Sequence, residues 1–128
     1  CMTMDWSATM LALAGIQAPP QFPWDGVSLV PVLEADGQEF HRPLYWRMNH
    51  RGQRALRDGC WKYLRVDGND YLFNLANDQR ERANLGKHEP ERLRAMQDAW
   101  EAWNATIPPI PEDGLVNVGY SYKDMPQR

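Results

Sequence analysis

Apolar and polar positions follow different rules in successive stretches of the chain. Residues 6–14, from Trp6 to Ala14, are apolar on nearly every side, with Asp5 placed to cap a helix and Gly15 to end it. A helix apolar all round has to be covered on most sides, so this segment is expected to pack against a larger body. Pro19, Pro20, Pro23 and Gly26 then mark an extended connector. Residues 28–33 read as a short helix with Pro31 in its first turn. A polar loop around Asp36-Gly37 follows.

From Pro43 the period falls to two. Residues 44–48, 53–57, 61–66 and 70–75 each read as a short strand. Asp58-Gly59 and Asp67-Gly68-Asn69 supply hairpin turns, and connections this short imply an antiparallel meander. Past a polar loop, Glu89-Pro90 opens a helix running to about Ala105. Leu93, Met96, Trp100 and Trp103 make one stripe along it, which is expected to lie across the meander. Three prolines, Pro108, Pro109 and Pro111, stop the helix. Tyr120 and Tyr122 lie in an aperiodic tail. The fold class is therefore α+β: a four-stranded antiparallel meander packed against a long C-terminal helix, preceded by one or two short helices. Three segments follow: 1–42, a helix and connector; 43–107, the sheet-plus-helix unit; and 108–128, a Pro-rich irregular tail.

Composition narrows the function. At 128 residues the chain is one domain at most. Its 14 Lys+Arg against 17 Asp+Glu, net −3, lack the basic excess of a nucleic-acid binder. With 43% hydrophobic residues and mean hydropathy −0.66, the pattern is globular, and no apolar run approaches the ~18–20 residues of a membrane span. Six tryptophans promise large buried rings, or rings that dock onto something else. Cys1 and Cys60 are read as free thiols, too few for a disulfide framework or a four-Cys zinc site. The chain opens on Cys1 with no leader pattern, so it is treated as a possible piece of a longer protein, compatible with a cytoplasmic or a periplasmic or secreted setting.

Neither a phosphate-binding Gly loop nor a Gly-x-Ser-x-Gly elbow is present. His41, His50 and His88 fall in separate loops, away from metal-ligand spacing. Asp36, Asp58, Asp67, Asp70 and Asp78 lie in turns, where a carboxylate usually caps its own backbone. No catalytic or metal-ligating set is therefore assigned. The candidate binding residues are Asn49, His50 and Arg51 at the tip of the first hairpin. An amide, an imidazole and a guanidinium together suit an anionic or polyhydroxylated ligand, although a plain polar turn would look the same. Arg54, Arg57, Lys62 and Arg65 make strands two and three cationic, as a solvated sheet face also would.

Four segments, in order, resemble sulfatases. Residues 5–16, Asp5-Trp6-Ser7-Ala8-Thr9-Met10-Leu11-Ala12-Leu13-Ala14-Gly15-Ile16, look like the family's Asp-x-x-Pro-Thr-Leu-Leu-x-Leu-Ala-Gly-Ile helix. Asp25-Gly26-Val27-Ser28-Leu29-Val30-Pro31-Val32-Leu33 resembles the Asp-Gly-x-Ser-Leu-x-Pro-Leu-Leu that follows it. Arg54-Ala55-Leu56-Arg57-Asp58-Gly59-Cys60-Trp61-Lys62-Tyr63 is similar to the Arg-Ala-Val-Arg-x-Gly-x-Trp-Lys-Tyr hairpin of the C-terminal subdomain. Residues 72–85, from Leu72-Phe73-Asn74-Leu75 to Asn84-Leu85, match the pattern Leu-Tyr-Asp-Leu-x-x-Asp-Pro-x-Glu-x-x-Asn-Leu. Ala8 and Gln79 stand where the family has Pro.

The resemblance implies the C-terminal, non-catalytic portion of a sulfatase, whose opening helices are left over from the α/β catalytic domain. That missing domain would carry the Cys- or Ser-x-Pro-Ser-Arg motif with its formylglycine nucleophile, and the calcium ligands. The cofactor expectation is therefore none in this chain, with calcium in the absent domain. The parent would be a sulfuric ester hydrolase of the alkaline-phosphatase-like superfamily, acting on a sulfated small molecule or sugar. The isolated chain would be inactive. Its partner would be the catalytic domain, or in its absence a second copy through the apolar helix from Trp6 to Ala14. Asn49, His50 and Arg51 would rim the substrate pocket. The alternatives are a phosphonate or phosphate monoester hydrolase of the same superfamily, and an independent binding or interaction module.

Overall fold

A computed structural model describes residues 1–34, 41–111, 114, 123, 125 and 126. It divides into two units, Cys1–His41 and Arg42–Arg128. The loop expected around Asp36-Gly37, and Tyr120 and Tyr122, lie outside the described residues.

In the first unit α1 spans Thr3–Leu13 and α2 spans Val30–Glu34. The start of α1 corrects the sequence reading: Met2 is the N-cap and Asp5 lies in the third helical position. Asp5 still caps the helix, from inside, because its carboxylate accepts the Met2 backbone N–H at 2.6 Å. The other end agrees with expectation. Gly15 takes φ +73, and the N–H groups of Gly15 and Ile16 donate to the carbonyls of Ala12 and Leu11, a paired closure that satisfies two terminal acceptors.

The connector is held to α1 by polar side chains. The other Asp5 carboxylate oxygen accepts the Val27 N–H at 3.1 Å. The Thr9 hydroxyl donates to the Asp5 carbonyl at 2.6 Å and accepts the Leu29 N–H at 2.9 Å. Gly26 lies so close that a Cβ there would stand 2.2 Å from the Met4 carbonyl oxygen. The side of α1 that is covered thus carries Asp5, Ala8 and Thr9. Trp6, Met10 and Leu13 are 54%, 67% and 69% exposed. Spaced i, i+4 and i+7, they share one face.

In the second unit β1 (Leu44–Arg47), β2 (Arg54–Asp58), β3 (Trp61–Val66) and β4 (Asn69–Asn74) form one antiparallel sheet in sequence order. This is the expected meander. Asp58 pairs with Trp61, so Gly59 and Cys60 are the central residues of the β2–β3 turn, one position beyond the Asp58-Gly59 pair that signals it. The β3–β4 turn centres on Asp67 and Gly68, both at positive φ, as a type I′ turn requires.

Period two gives the sheet two covered faces. Tyr45, Leu56, Tyr63 and Leu72 are in register across the four strands. They form one cluster with Met96 and Trp100 of α3, the helix Pro90–Asn104. Leu93, Ala99 and Trp103 complete this layer. Trp103 stacks on Tyr45 at 4.9 Å, and the Trp100 indole N–H donates to the Trp46 carbonyl at 3.0 Å. The expected stripe on α3 is the one buried. On the opposite face Val66, Tyr71 and Phe73 pack with Met125 from the tail. Asn84 secures the outer edge of β4: its amide oxygen accepts the Leu72 and Gly86 N–H groups, and its amide nitrogen donates to the Asp70 carbonyl.

Candidate functional site

The β1–β2 connection is a single 3-10 turn, His50–Gly52, closed by the Met48 N–H donating to the Gln53 carbonyl at 2.9 Å. Arg51 takes φ +52 and Gly52 φ +62, a left-handed pair that glycine accepts freely and arginine at a cost. This geometry sends the candidate residues apart. The Arg51 guanidinium lies 3.0 Å from both carboxylate oxygens of Asp67, in the β3–β4 turn. The Asn49 amide donates to the Gly114 carbonyl, on the side of the tail. His50 is half-buried.

Asn49 lines a cleft of about 460 Å³ between this turn, the end of α3 and the Pro109-Ile110 segment. His50 and Arg51 are not among its lining residues. Its polar wall comes from Arg47, Gln53, Arg54 and Asn104. Arg47 donates to the Asn104 side-chain oxygen at 3.0 Å and to the Pro108 carbonyl at 2.8 Å. Arg54 pairs with Glu101 and lies 4.5 Å over the Trp100 ring. Sequence reasoning missed Arg47, Gln53 and Asn104. Only the junction of strand start and helix end brings them together, and no periodic signal marks it.

The cationic strands resolve into two sets, because alternate residues point to opposite faces. Arg54 and Arg65 are register partners on the α3 side, and Arg47 is directly opposite Arg54 on β1. Arg57 and Lys62 pair on the other face. There Lys62 binds both Glu81 carboxylate oxygens, at 2.7 and 2.8 Å, beside a hollow of about 270 Å³ that also touches Trp46. At the end of the arginine row, Asp70 accepts the Tyr63 hydroxyl at 2.8 Å. Burial, then that hydrogen bond and the Asp70 charge, push the Tyr63 phenol up to about 12.

Among the described residues no three His, Cys, Asp or Glu side chains gather to hold a metal ion. Cys1 and Cys60 are free and exposed. No described helix is long and apolar enough to cross a membrane.

No known family profile matches the chain, and no curated protein matches it. Solved structures do. A sulfatase from the core genetic locus for glycosaminoglycan metabolism of Bacteroides thetaiotaomicron shares 20% identity over 79% of this chain, with TM-score 0.66. The carrageenan sulfatase Ps i-CgsB shares 25% identity over 77% of this chain. Its TM-score is 0.63 in complex with k-i-k-neocarrahexaose and 0.64 without it. This chain spans about a quarter of the length of those proteins, 24% and 23%. The fold is thus that of a portion of these sulfatase chains.

Proposed function

We propose that the chain is the C-terminal, non-catalytic portion of a sulfatase, supporting a catalytic domain that precedes it. The observation that carries this reading is the likeness to sulfatase chains over more than three quarters of this chain but under a quarter of theirs. The contacts between the resembling segments support it. Asp5 and Thr9 of the first hold Val27 and Leu29 of the second, and Gly26 is the residue the close approach to Met4 demands. Within the last, Asn84 binds back to Leu72.

In this reading the nucleophile, a formylglycine, and a calcium ion that would polarise the sulfate belong to the preceding domain. The described residues of this chain offer no matching ligand cluster, and no step of the reaction is assigned to them. Their part is binding and support. From the β1–β2 turn, Asn49, His50 and Arg51 rim the substrate pocket of the preceding catalytic domain, distinct from the cleft that Asn49 lines here, and meet the non-sulfate part of a sulfated sugar, the substrate class that the neighbour with a bound hexaose suggests. The exposed Trp6, Met10 and Leu13 face meets the catalytic domain, or a second copy where that domain is absent.

The test is the coding sequence upstream of Cys1. An in-frame Cys- or Ser-x-Pro-Ser-Arg motif is the expected result, and an upstream region without it overturns the proposal. The purified 128-residue chain, given an aryl sulfate and excess calcium, is expected to show no turnover.

A further inference from the structure

We propose that the hollow on the sheet face away from α3 binds a pyranose ring carrying a carboxylate or sulfate group. This inference stands apart from the sulfatase reading: it concerns residues outside the 49–51 turn and rests on groups within this unit.

Strand register settles which side chains meet there. Trp46 pairs with Ala55, and Arg57 with Lys62. Ala55 and Arg57 are alternate residues of β2, so all four project from one face of the sheet. Leu75 and Glu81 complete the lining. Trp46 is 40% exposed, a large ring left half open on a concave wall. At about 270 Å³ the hollow falls just short of the roughly 300–1,000 Å³ of drug-sized pockets, which suits a single ring.

Charge shows what the ring should carry. Arg57 and Lys62 stand directly opposite each other, an arrangement of like charges that disfavours the pair. Lys62 is answered by Glu81, whose two carboxylate oxygens it binds. Arg57 is not. Its Nε–H donates to the Gly59 carbonyl at 3.3 Å, and among the described residues no carboxylate pairs with it. The lining thus presents an uncompensated guanidinium, the group that takes carboxylate or sulfate oxygens two at a time.

Glu81 is fixed in place. It takes φ +54, a left-handed conformation that a non-glycine residue adopts at a cost. Asp78 holds the bend: its carbonyl accepts the Glu81 N–H at 3.2 Å, and its carboxylate accepts the Arg82 and Ala83 N–H groups at 2.7 and 2.9 Å. Backbone of this kind persists where its surroundings over-determine it, and it clusters at binding sites. Though bound to Lys62, the Glu81 carboxylate keeps lone pairs for a hydroxyl donor. The electropositive C–H groups of a sugar ring suit the negative face of the indole. An inorganic anion answers Arg57 alone, and an aromatic acid brings no hydroxyls to Glu81.

The Trp46 indole N–H and Arg57 Nε–H signals in a nitrogen–proton correlation spectrum of the whole chain read the site directly. Methyl glucuronide, glucose 6-sulfate, methyl glucoside and benzoate are titrated separately at matched ionic strength. Saturable shifts of both signals with the glucuronide, the sulfate ester or both are expected, and these two arms tell a planar anionic group from a tetrahedral one. Methyl glucoside and benzoate should each bind at least about tenfold more weakly. The perturbed backbone signals should centre on Trp46, Ala55, Arg57 and Lys62. Arg57→Gln, at an exposed position, is expected to weaken binding of the charged sugar at least about tenfold. The absence of a saturable shift with both charged sugars overturns the proposal. So does benzoate binding as tightly as they do, a perturbation centred on Arg47, Gln53 and Asn104, or an unchanged affinity in a folded Arg57→Gln. Should that variant not fold, the wild-type titrations and their map still decide.

Discussion

Trp6 with Met10, and Met96 with Trp100, are the same kind of pair: a tryptophan and a methionine four residues apart on one helix. In α3 the pair is core, with Trp100 only 5% exposed, and in α1 Trp6 is 54% exposed. The difference lies in what each helix meets. The α3 stripe lies on a row of side chains, Leu56, Tyr63 and Leu72, that strand register has already aligned. The α1 helix is instead gripped from its polar side by Asp5 and Thr9, which hold the connector backbone. Hydrogen bonds are directional and choose a side. Apolar burial is not, and follows whatever partner is at hand.

The largest expected effect tests that contrast directly. Trp100→Ala should cost about 3–5 kcal/mol, seen as a lower urea midpoint. Trp6→Ala should stay within about 0.5 kcal/mol in the isolated chain, as exposed substitutions do. A Trp6→Ala loss as large as that of Trp100→Ala would break the comparison, by showing that the face is covered.

Next in size is Asp5→Ala. It removes the acceptor for two backbone N–H groups from a fully buried position. The loss should be on the order of 2–3 kcal/mol, because each charged hydrogen bond contributes about 1.5–3 kcal/mol and local rearrangement recovers part. Amide exchange should accelerate at Val27 and Leu29 while Leu72 and Tyr63 stay protected. Equal loss of protection in both units would mean that they unfold together.

A smaller effect sharpens the account of the sheet–helix core. The Tyr63 phenol has a raised value of about 12 in the folded chain, against about 10 for an ordinary tyrosine. The folded state therefore holds this proton more tightly than the unfolded state. The resulting stability is complete below pH ~10 and is lost as pH rises toward ~12. Tyr63→Phe should cost about 1 kcal/mol near neutrality through the lost bond to Asp70. It should also make denaturant stability less steep between those pH values. A variant with the wild-type alkaline slope would place the titration elsewhere.

The smallest effect concerns the candidate loop. Arg51 ties one turn to another through Asp67, yet its side chain is 55% exposed. Arg51→Ala should therefore change stability by only about 0.2–1 kcal/mol. A larger loss in a urea titration would show that the ion pair, and not the backbone turn, holds the tip together.

Much of the second unit was legible in the chain. Alternation from Leu44 to Asn74 and the Asp-Gly turns determine a meander, because each side chain's face follows from its parity and each short turn leaves only antiparallel pairing. The stripe from Leu93 to Trp103 likewise determines which side of α3 is buried, since 3.6 residues per turn bring those positions onto one face. Helix α1 offered no such period, so its end could be read at Gly15 but its covered side could not. Only the approach of Val27 and Leu29 turned Asp5 and Thr9 inward.

The site was the least legible part. Asn49, His50 and Arg51 are neighbours in sequence, and a left-handed turn separates them in space. Arg47, Gln53, Arg54 and Asn104 are scattered over 58 positions of sequence, yet line one cleft. Local order determined the elements, because capping, turns and periodicity act within a few residues. Only tertiary structure decided which residues line the cleft, because it alone brings a strand start against a helix end.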